Sequence, residues 1–298
     1  MTNDTQYPML ADTYTLNNGV KIPRIGLGTW LVDNDKVAAP VKEAIDLGYR
    51  MIDTAQDYGN EEGVGEGVRA SGVPRGELFV TTKVSGDIKD HDLAAKSIDE
   101  SLARAKFDYF DLIIIHSPQP WNVFRDGDHY YEQNLEVWRA LEEAYQAGKA
   151  RAIGVSNFLP ADLQNILDNG EVTPAVDQIL CHAGNTPFEL IDTCEQAGVQ
   201  VEAYSPVAHG AAFGNDVLTE LAAKYGVTVA QLCIRYLLQL GLVALPKTTH
   251  EQYMRENADV AGFEIEHEDM EKLKRMPQLD DYGKDGFFPV FAKADSAR

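Results

Sequence analysis

The 298-residue chain carries 26 Lys and Arg against 47 Asp and Glu, a formal charge of −21, with 44% hydrophobic and 24% charged residues. These are the proportions of a soluble globular protein with enough apolar mass for a large core. The acidic excess argues against nucleic acid or an anionic membrane as partner, because both need a basic stripe, and no apolar run approaches a bilayer-spanning length.

The N-terminus, with Asp4 and Asp12, lacks the apolar run of a secretory leader. Cys181, Cys194 and Cys233 are odd in number and form no C-x-x-C pair, so they read as reduced thiols rather than a zinc site or a disulfide framework. A cytoplasmic protein without a metal centre is expected.

In chain order, segments 14–16 and 20–22 flank Asn17-Asn18-Gly19 and predict a β-hairpin. Strands are then expected at 25–28, 51–53, 78–83, 111–116, 150–156, 175–178, 199–205 and 242–246. Amphipathic helical stretches separate them, among them 37–47, 92–105, 135–147, 161–168 and 217–224. Several stop at a glycine (Gly48, Gly148, Gly170, Gly226), the residue that most easily closes a helix. No linker or close repeat divides the chain, so one domain over residues 1–298 is expected.

Eight strands alternating with helices predict an α/β fold with a parallel sheet, and eight is the number that closes a (β/α)₈ barrel. Most strands are apolar until their last residues and then deliver Asp53, Lys83, His116, Ser156-Asn157, Gln178, Tyr204-Ser205 or Lys247. A barrel gathers such ends around one mouth, whereas an open doubly wound sheet spreads them along an edge. Neither glycine cluster makes a dinucleotide fingerprint. Gly26-Leu27-Gly28 has Leu31 where the third glycine belongs, and Gly63-Val64-Gly65-Glu66-Gly67 lies inside a predicted helix.

The run Gly48-Tyr49-Arg50-Met51-Ile52-Asp53-Thr54-Ala55-Gln56-Asp57-Tyr58-Gly59-Asn60-Glu61 resembles the N-terminal signature of the aldo-keto reductases. Lys149 to Phe158 and Leu245-Pro246-Lys247-Thr248 resemble two further signatures, in the family's order, and the resemblance spans essentially the whole chain. It implies a (β/α)₈ barrel with an N-terminal β-hairpin and a C-terminal substrate loop. It also implies a catalytic tetrad of Asp53, Tyr58, Lys83 and His116. The side chains suit carbonyl reduction, which needs an acid for the developing alkoxide. A phenol has an ordinary pKa of about 10, and Lys83 is expected to lower it at Tyr58. Asp53 would hold Lys83 charged, and His116 would position the carbonyl oxygen or assist Tyr58. Singly, each of the four is better explained by packing, an ion pair or a satisfied core hydrogen bond; together on strand ends they point to catalysis.

The resemblance implies a nicotinamide cofactor, NADPH, bound without a Rossmann motif. Ser156, Asn157 and Gln178 match the positions that hold the carboxamide, and Tyr204 matches the aromatic that stacks on the nicotinamide. Ser205 and Val207 match pyrophosphate-side positions, and Thr29 lies on the loop after the first strand. Lys247, Thr248 and Thr249 match the 2′-phosphate site, with Asn257 near the adenine. Tyr253 stands where members with strong NADPH preference carry arginine, so weaker discrimination and some acceptance of NADH are expected. Arg255 is expected to face elsewhere, and His209 is a candidate donor to the pyrophosphate.

Trp30, Trp121, Phe124 and a tail with Phe287, Phe288 and Phe291 are candidates for an apolar substrate wall and lid. The expected activity is NADPH-dependent reduction of aldehydes and ketones, with a small-molecule carbonyl as substrate and no obligate protein partner evident. Two other readings stay open: a cofactor-binding redox-sensor subunit with slow turnover, and a Schiff-base aldolase barrel with Lys83 as nucleophile.

Overall fold

The computed structural model describes residues 6–292. Strands β1 (Thr13–Thr15) and β2 (Lys21–Pro23) pair antiparallel, with Tyr14 opposite Ile22, around a turn whose Gly19 has φ +85°. Eight strands follow in parallel, each beside its sequence neighbour. They are β3 (Leu27–Gly28), β4 (Met51–Asp53), β5 (Phe79–Val84), β6 (Phe110–Ile115), β7 (Ala150–Ser156), β8 (Val176–Leu180), β9 (Gln200–Tyr204) and β10 (Val243–Leu245). First and last close the ring through parallel bridges Ile25–Ala244 and Gly28–Lys247. The Gly26 amide donates to Ala244 O and that of Gly28 to Pro246 O, both at 3.0 Å. The fold is a (β/α)₈ barrel, and the closed ring has no sheet edge at which a doubly wound crevice could open.

Helices α1 (Asn34–Leu47), α2 (Glu61–Ala70), α3 (His91–Ala105), α4 (Tyr131–Gln146), α5 (Pro160–Asn169) and α6 (Phe188–Gln196) link successive strands up to β9. Two helices, α7 (Asp216–Tyr225) and α8 (Val229–Gln239), fill the step to β10, and α9 (Glu251–Ala258) and α10 (His267–Lys274) follow it. Gly48 and Gly226 close α1 and α7 in the left-handed region. Gly170 ends α5 differently, with φ −81° and extended backbone. Its requirement is space, since a Cβ there would lie 2.7 Å from Trp138 Nε1.

The glycines of α2 have the same explanation. A Cβ at Gly63 would meet Asn34 O at 2.2 Å, one at Gly65 would meet Ala105 O at 2.1 Å, and one at Gly67 would meet Ala38 O at 2.6 Å. The run that looks like a nucleotide loop is a packing face between α1 and α3.

Because side chains alternate along a strand, each contributes one row to the barrel interior and one to the helices. Met51, Phe79, Leu112, Ile114, Val176 and Val243 pack inside, whereas Ile52, Val80, Ile113 and Val201 join the core beneath the helices. Leu16 and Ile22 of the hairpin enter the inner cluster from the N-terminal end of the strands. Asn17 Nδ2 donates to Pro174 O and Asn18 Nδ2 to Arg151 O, each at 2.9 Å, which pins the hairpin there as a plug. The same alternation, continued upward, brings Asp53, Lys83, His116, Ser156, Gln178, Tyr204 and Lys247 to the opposite mouth. No single helix among the described residues is long and apolar enough to cross a membrane, and the three cysteines are buried and unpaired.

Candidate active site

Lys83 is only 1% exposed, so its ammonium requires partners, and it has three. Nζ donates to Asp53 Oδ1 at 2.6 Å, Thr54 O at 2.9 Å and Tyr58 Oη at 3.2 Å. Three donor hydrogens meet three acceptors, and Lys83 itself does not line the cavity at the barrel mouth, which disfavours a Schiff-base nucleophile. Behind it, Gln178 Nε2 donates to Asp53 Oδ2 at 2.9 Å and to Glu202 Oε2 at 2.7 Å. A polar ladder from β5 through β4 and β8 to β9 thus crosses the barrel. Glu202 is fully buried, and its Oε1 has no partner. Burial, reinforced by the nearby Asp53 charge, pushes its carboxyl up to about 8, so it is mainly protonated at neutral pH.

Tyr58 ends a short 3₁₀ turn, Gln56–Tyr58, directly after β4. Its electrostatic balance differs from the sequence expectation. Burial first, then the charges of Asp53 and Asp57, hold its phenol well above the ordinary value. Lys83 donates a hydrogen bond to the oxygen, yet the net balance leaves the phenol raised. The group is a protonated phenol throughout the physiological range, a proton donor rather than a phenolate.

The His116 ring lies 5.6 Å from that of Tyr58, at 71°. Burial keeps His116 below the usual histidine range, hence neutral at pH 7. Its Nδ1 is 2.9 Å from Asp57 Oδ2, which also accepts from Trp121 Nε1 at 2.8 Å. Burial would raise Asp57, but hydrogen bonds from His116, Ser85 and Trp121 outweigh it and bring the carboxyl down to about 2. Sequence reading passed over Asp57 because it fills an unspecified position of the signature. Its adjacency to Tyr58 was the one available signal.

These groups stand at one end of a cavity of about 370 Å³. Ser156, Asn157, Gln178, Tyr204, Ser205, Val207 and Lys247 also line it. Asn157 Nδ2 donates to His116 O at 3.0 Å, and Asn157 Oδ1 accepts from Tyr204 Oη at 2.6 Å, so the Tyr204 ring is braced in plane. Ser156 Oγ donates to Gln178 O at 2.8 Å. Among the cavity's groups, Lys247 is held below its ordinary value by burial, and Lys284 acts in the same direction.

Some predicted residues fall elsewhere. Thr29 Oγ1 donates to Asp53 O at 2.8 Å and is buried outside the cavity. Thr248, Thr249 and Asn257 also lie outside its lining; Thr248 Oγ1 instead accepts from His250 N at 3.1 Å at the entry to α9. Tyr253 is half exposed, and Arg255 Nε is tied to Glu251 Oε1 at 2.8 Å. Trp30 and Trp121 line the cavity, whereas Phe124 packs behind Trp121 with centroids 5.7 Å apart. Phe288 and Phe291 reach the cavity; Phe287 is 71% exposed and does not.

The tail is fastened by a group expected to serve another purpose. His209 Nδ1 is 2.7 Å from Asp285 Oδ2 and its Nε2 is 2.8 Å from Ser205 Oγ. Its ring also packs 4.2 Å from Phe291 and 5.5 Å from Trp30. His209 therefore links the loop after β9 to the tail, 76 residues on.

Comparison with known proteins agrees with this geometry. The Aldo/keto reductase family pattern matches residues 24–277. The chain is 44% identical over 265 residues to glyoxal reductase of Bacillus subtilis, covering 89% of this chain and 92% of that protein. It is 36% identical over 272 residues to methylglyoxal reductase DkgA of Escherichia coli, covering 91% and 95%. Among solved structures, the Bombyx mori aldo-keto reductase in complex with NADP superposes with a TM-score of 0.80 at 33% identity. That match covers 95% of this chain and 99% of the other. With the barrel, the strand-end constellation and these relatives in agreement, the chain belongs to the aldo-keto reductase family and is an oxidoreductase.

Proposed function

We propose that the protein reduces small aldehydes and ketones to alcohols with NADPH, with Tyr58 as the general acid. The observation that carries this reading is the contact of Tyr58 Oη with Lys83 Nζ at 3.2 Å, beside His116, in a cavity with room for a substrate. Relatives named for the reduction of glyoxal and methylglyoxal support small, reactive carbonyls as the substrate class.

The donor set fits a nicotinamide nucleotide, since an aromatic ring, amide and hydroxyl groups and a lysine all line the one cavity. Ser156, Asn157 and Gln178 would hold the carboxamide, Tyr204 would stack on the ring, and Ser205, Val207 and Lys247 would take the phosphates. Thr248, Thr249, Asn257 and Thr29 contribute, in this reading, from positions around the cavity rather than in it. When bound, the cofactor supplies the hydride that the carbonyl carbon accepts. Tyr58 gives its proton to the carbonyl oxygen, and the adjacent Lys83 ammonium stabilises the phenolate left behind. Asp53 and Thr54 hold Lys83 at that spot. NADPH is preferred through Lys247, with NADH accepted because Tyr253 lacks the guanidinium. The three unpaired cysteines fit a reducing cytoplasm.

Tyr58→Phe tests the acid. NADPH-dependent reduction of glyoxal should fall by about 10²–10⁴-fold while NADPH binding, followed by fluorescence titration, stays within a few-fold. Turnover surviving within a few-fold would assign the proton to another group.

A further inference from the structure

We infer that Asp57 fixes the tautomer of His116, leaving Nε2 as a bare acceptor toward the cavity, and that this acceptor selects carbonyl compounds with a hydroxyl on the adjacent carbon. The inference rests on the reductase reading and adds the substrate class.

The argument begins with the indole. Trp121 Nε1 is a donor only, so the Asp57 Oδ2 atom it reaches at 2.8 Å must be accepting. That same oxygen lies 2.9 Å from His116 Nδ1, so the proton in that contact belongs to Nδ1. A neutral imidazole carries one proton, and Nε2 is then unprotonated. The ring is 6% exposed and lines the cavity, and among the described residues no protein group donates to Nε2. The charged and titratable groups around the ring are Asp57, Asp53, Lys83 and Tyr58, and burial with Lys83 opposes a second proton. Tyr58, whose ring is 5.6 Å away, presents the opposite polarity, an O–H to be given.

The cavity's reacting end is therefore a donor beside an acceptor. A carbonyl oxygen satisfies Tyr58 but offers nothing to His116. A hydroxyl on the neighbouring carbon donates to Nε2 while the carbonyl accepts from Tyr58, so both protein groups are paired. The monohydrate of an α-dicarbonyl offers the same pair. A substrate without the hydroxyl leaves a buried acceptor unpaired, the situation in which polar sites discriminate most strongly.

Two measurements test this. In protein labelled with ¹⁵N-histidine, the His116 signals, assigned by their loss in His116→Gln, should show Nδ1 protonated and Nε2 unprotonated at neutral pH. A protonated Nε2 overturns the inference. Second, kcat/KM is compared for hydroxyacetone and methoxyacetone, which differ in the donor but share the inductive pull. The wild-type ratio should be about tenfold or more in favour of the hydroxyl. In Asp57→Ala the acceptor that holds the proton on Nδ1 is gone, the proton is free to sit on Nε2, and the ratio should shrink to within about twofold. A ratio near one in the wild type, or one that survives Asp57→Ala, overturns the substrate assignment. If the wild type consumes NADPH with neither ketone nor with glyoxal, the reductase reading itself has failed. The substrate class then falls with it, and the ¹⁵N spectrum alone decides the role of Asp57.

Discussion

The two ends of the cavity are built on different terms. At the reacting end, Lys83, Asp53, Gln178 and His116 come from strands or their immediate ends, and each is bound to its neighbours. At the far end Lys247 stands just past β10, Tyr253 is half exposed on α9, and Ser205 is reached through His209 from the tail. On the proposed mechanism, the barrel fixes the positions where hydride and proton would meet. In the proposed reading, loops, which exchange residues without disturbing the ring, would hold the part of the cofactor that only needs to be recognised.

Substitutions at each end should separate these roles. The largest effect is expected at the centre. Lys83→Met leaves Asp53 buried with Gln178 as its remaining donor, and should destabilise the fold by about 3–5 kcal/mol in urea unfolding. A loss below about 1 kcal/mol would mean the strand-borne end is not interlocked as described. Glu202 provides a pH-dependent counterpart. Its carboxyl is raised when folded, so its stabilising contribution is full below the ordinary glutamate value and is lost as pH rises through about 8. Glu202→Gln should therefore flatten the decline of stability between about pH 5 and pH 8, an effect of the order of a few kcal/mol. An unchanged slope would place the titrating group elsewhere.

At the loop-borne end smaller and more selective changes are expected. Lys247→Ala should reduce the preference for NADPH over NADH by about tenfold in kcat/KM and blunt its salt dependence, with stability little altered. A preference that persists would shift 2′-phosphate recognition to other groups, Lys284 first among them. The mildest effect is expected at the tail, where Asp285→Asn weakens the tie to His209. The substrate KM should rise about two- to fivefold, the equivalent of one modest hydrogen bond. A large loss of kcat there would make the tail part of the reacting end.

What could be read from the sequence follows the same division. Alternation along strands and polar residues at their ends made the barrel, its mouth and the set Asp53, Lys83 and His116 legible, because a period of two is local information. Contacts between distant loops were not. Trp121 reaches Asp57 across 64 residues and His209 reaches Asp285 across 76, and no local pattern encodes either pairing. The run 63–67 could be rejected as a fingerprint, but the backbone carbonyls that require its glycines come from α1 and α3. Thr29 illustrates a hydroxyl in the right region that the backbone of Asp53 claims first. At Tyr58 the sequence identifies the neighbouring cation but not the depth of burial, and depth decides the sign of the shift.

The hairpin seated under the barrel determines traffic as well as packing. Leu16 and Ile22 stop the lower opening among the described residues, and the tail hangs beside the upper one. Whatever occupies the cavity is thereby met at the mouth that carries Asp53, Tyr58 and His116. A strand pair far from any of these side chains thus decides from which side of the barrel the molecule is approached.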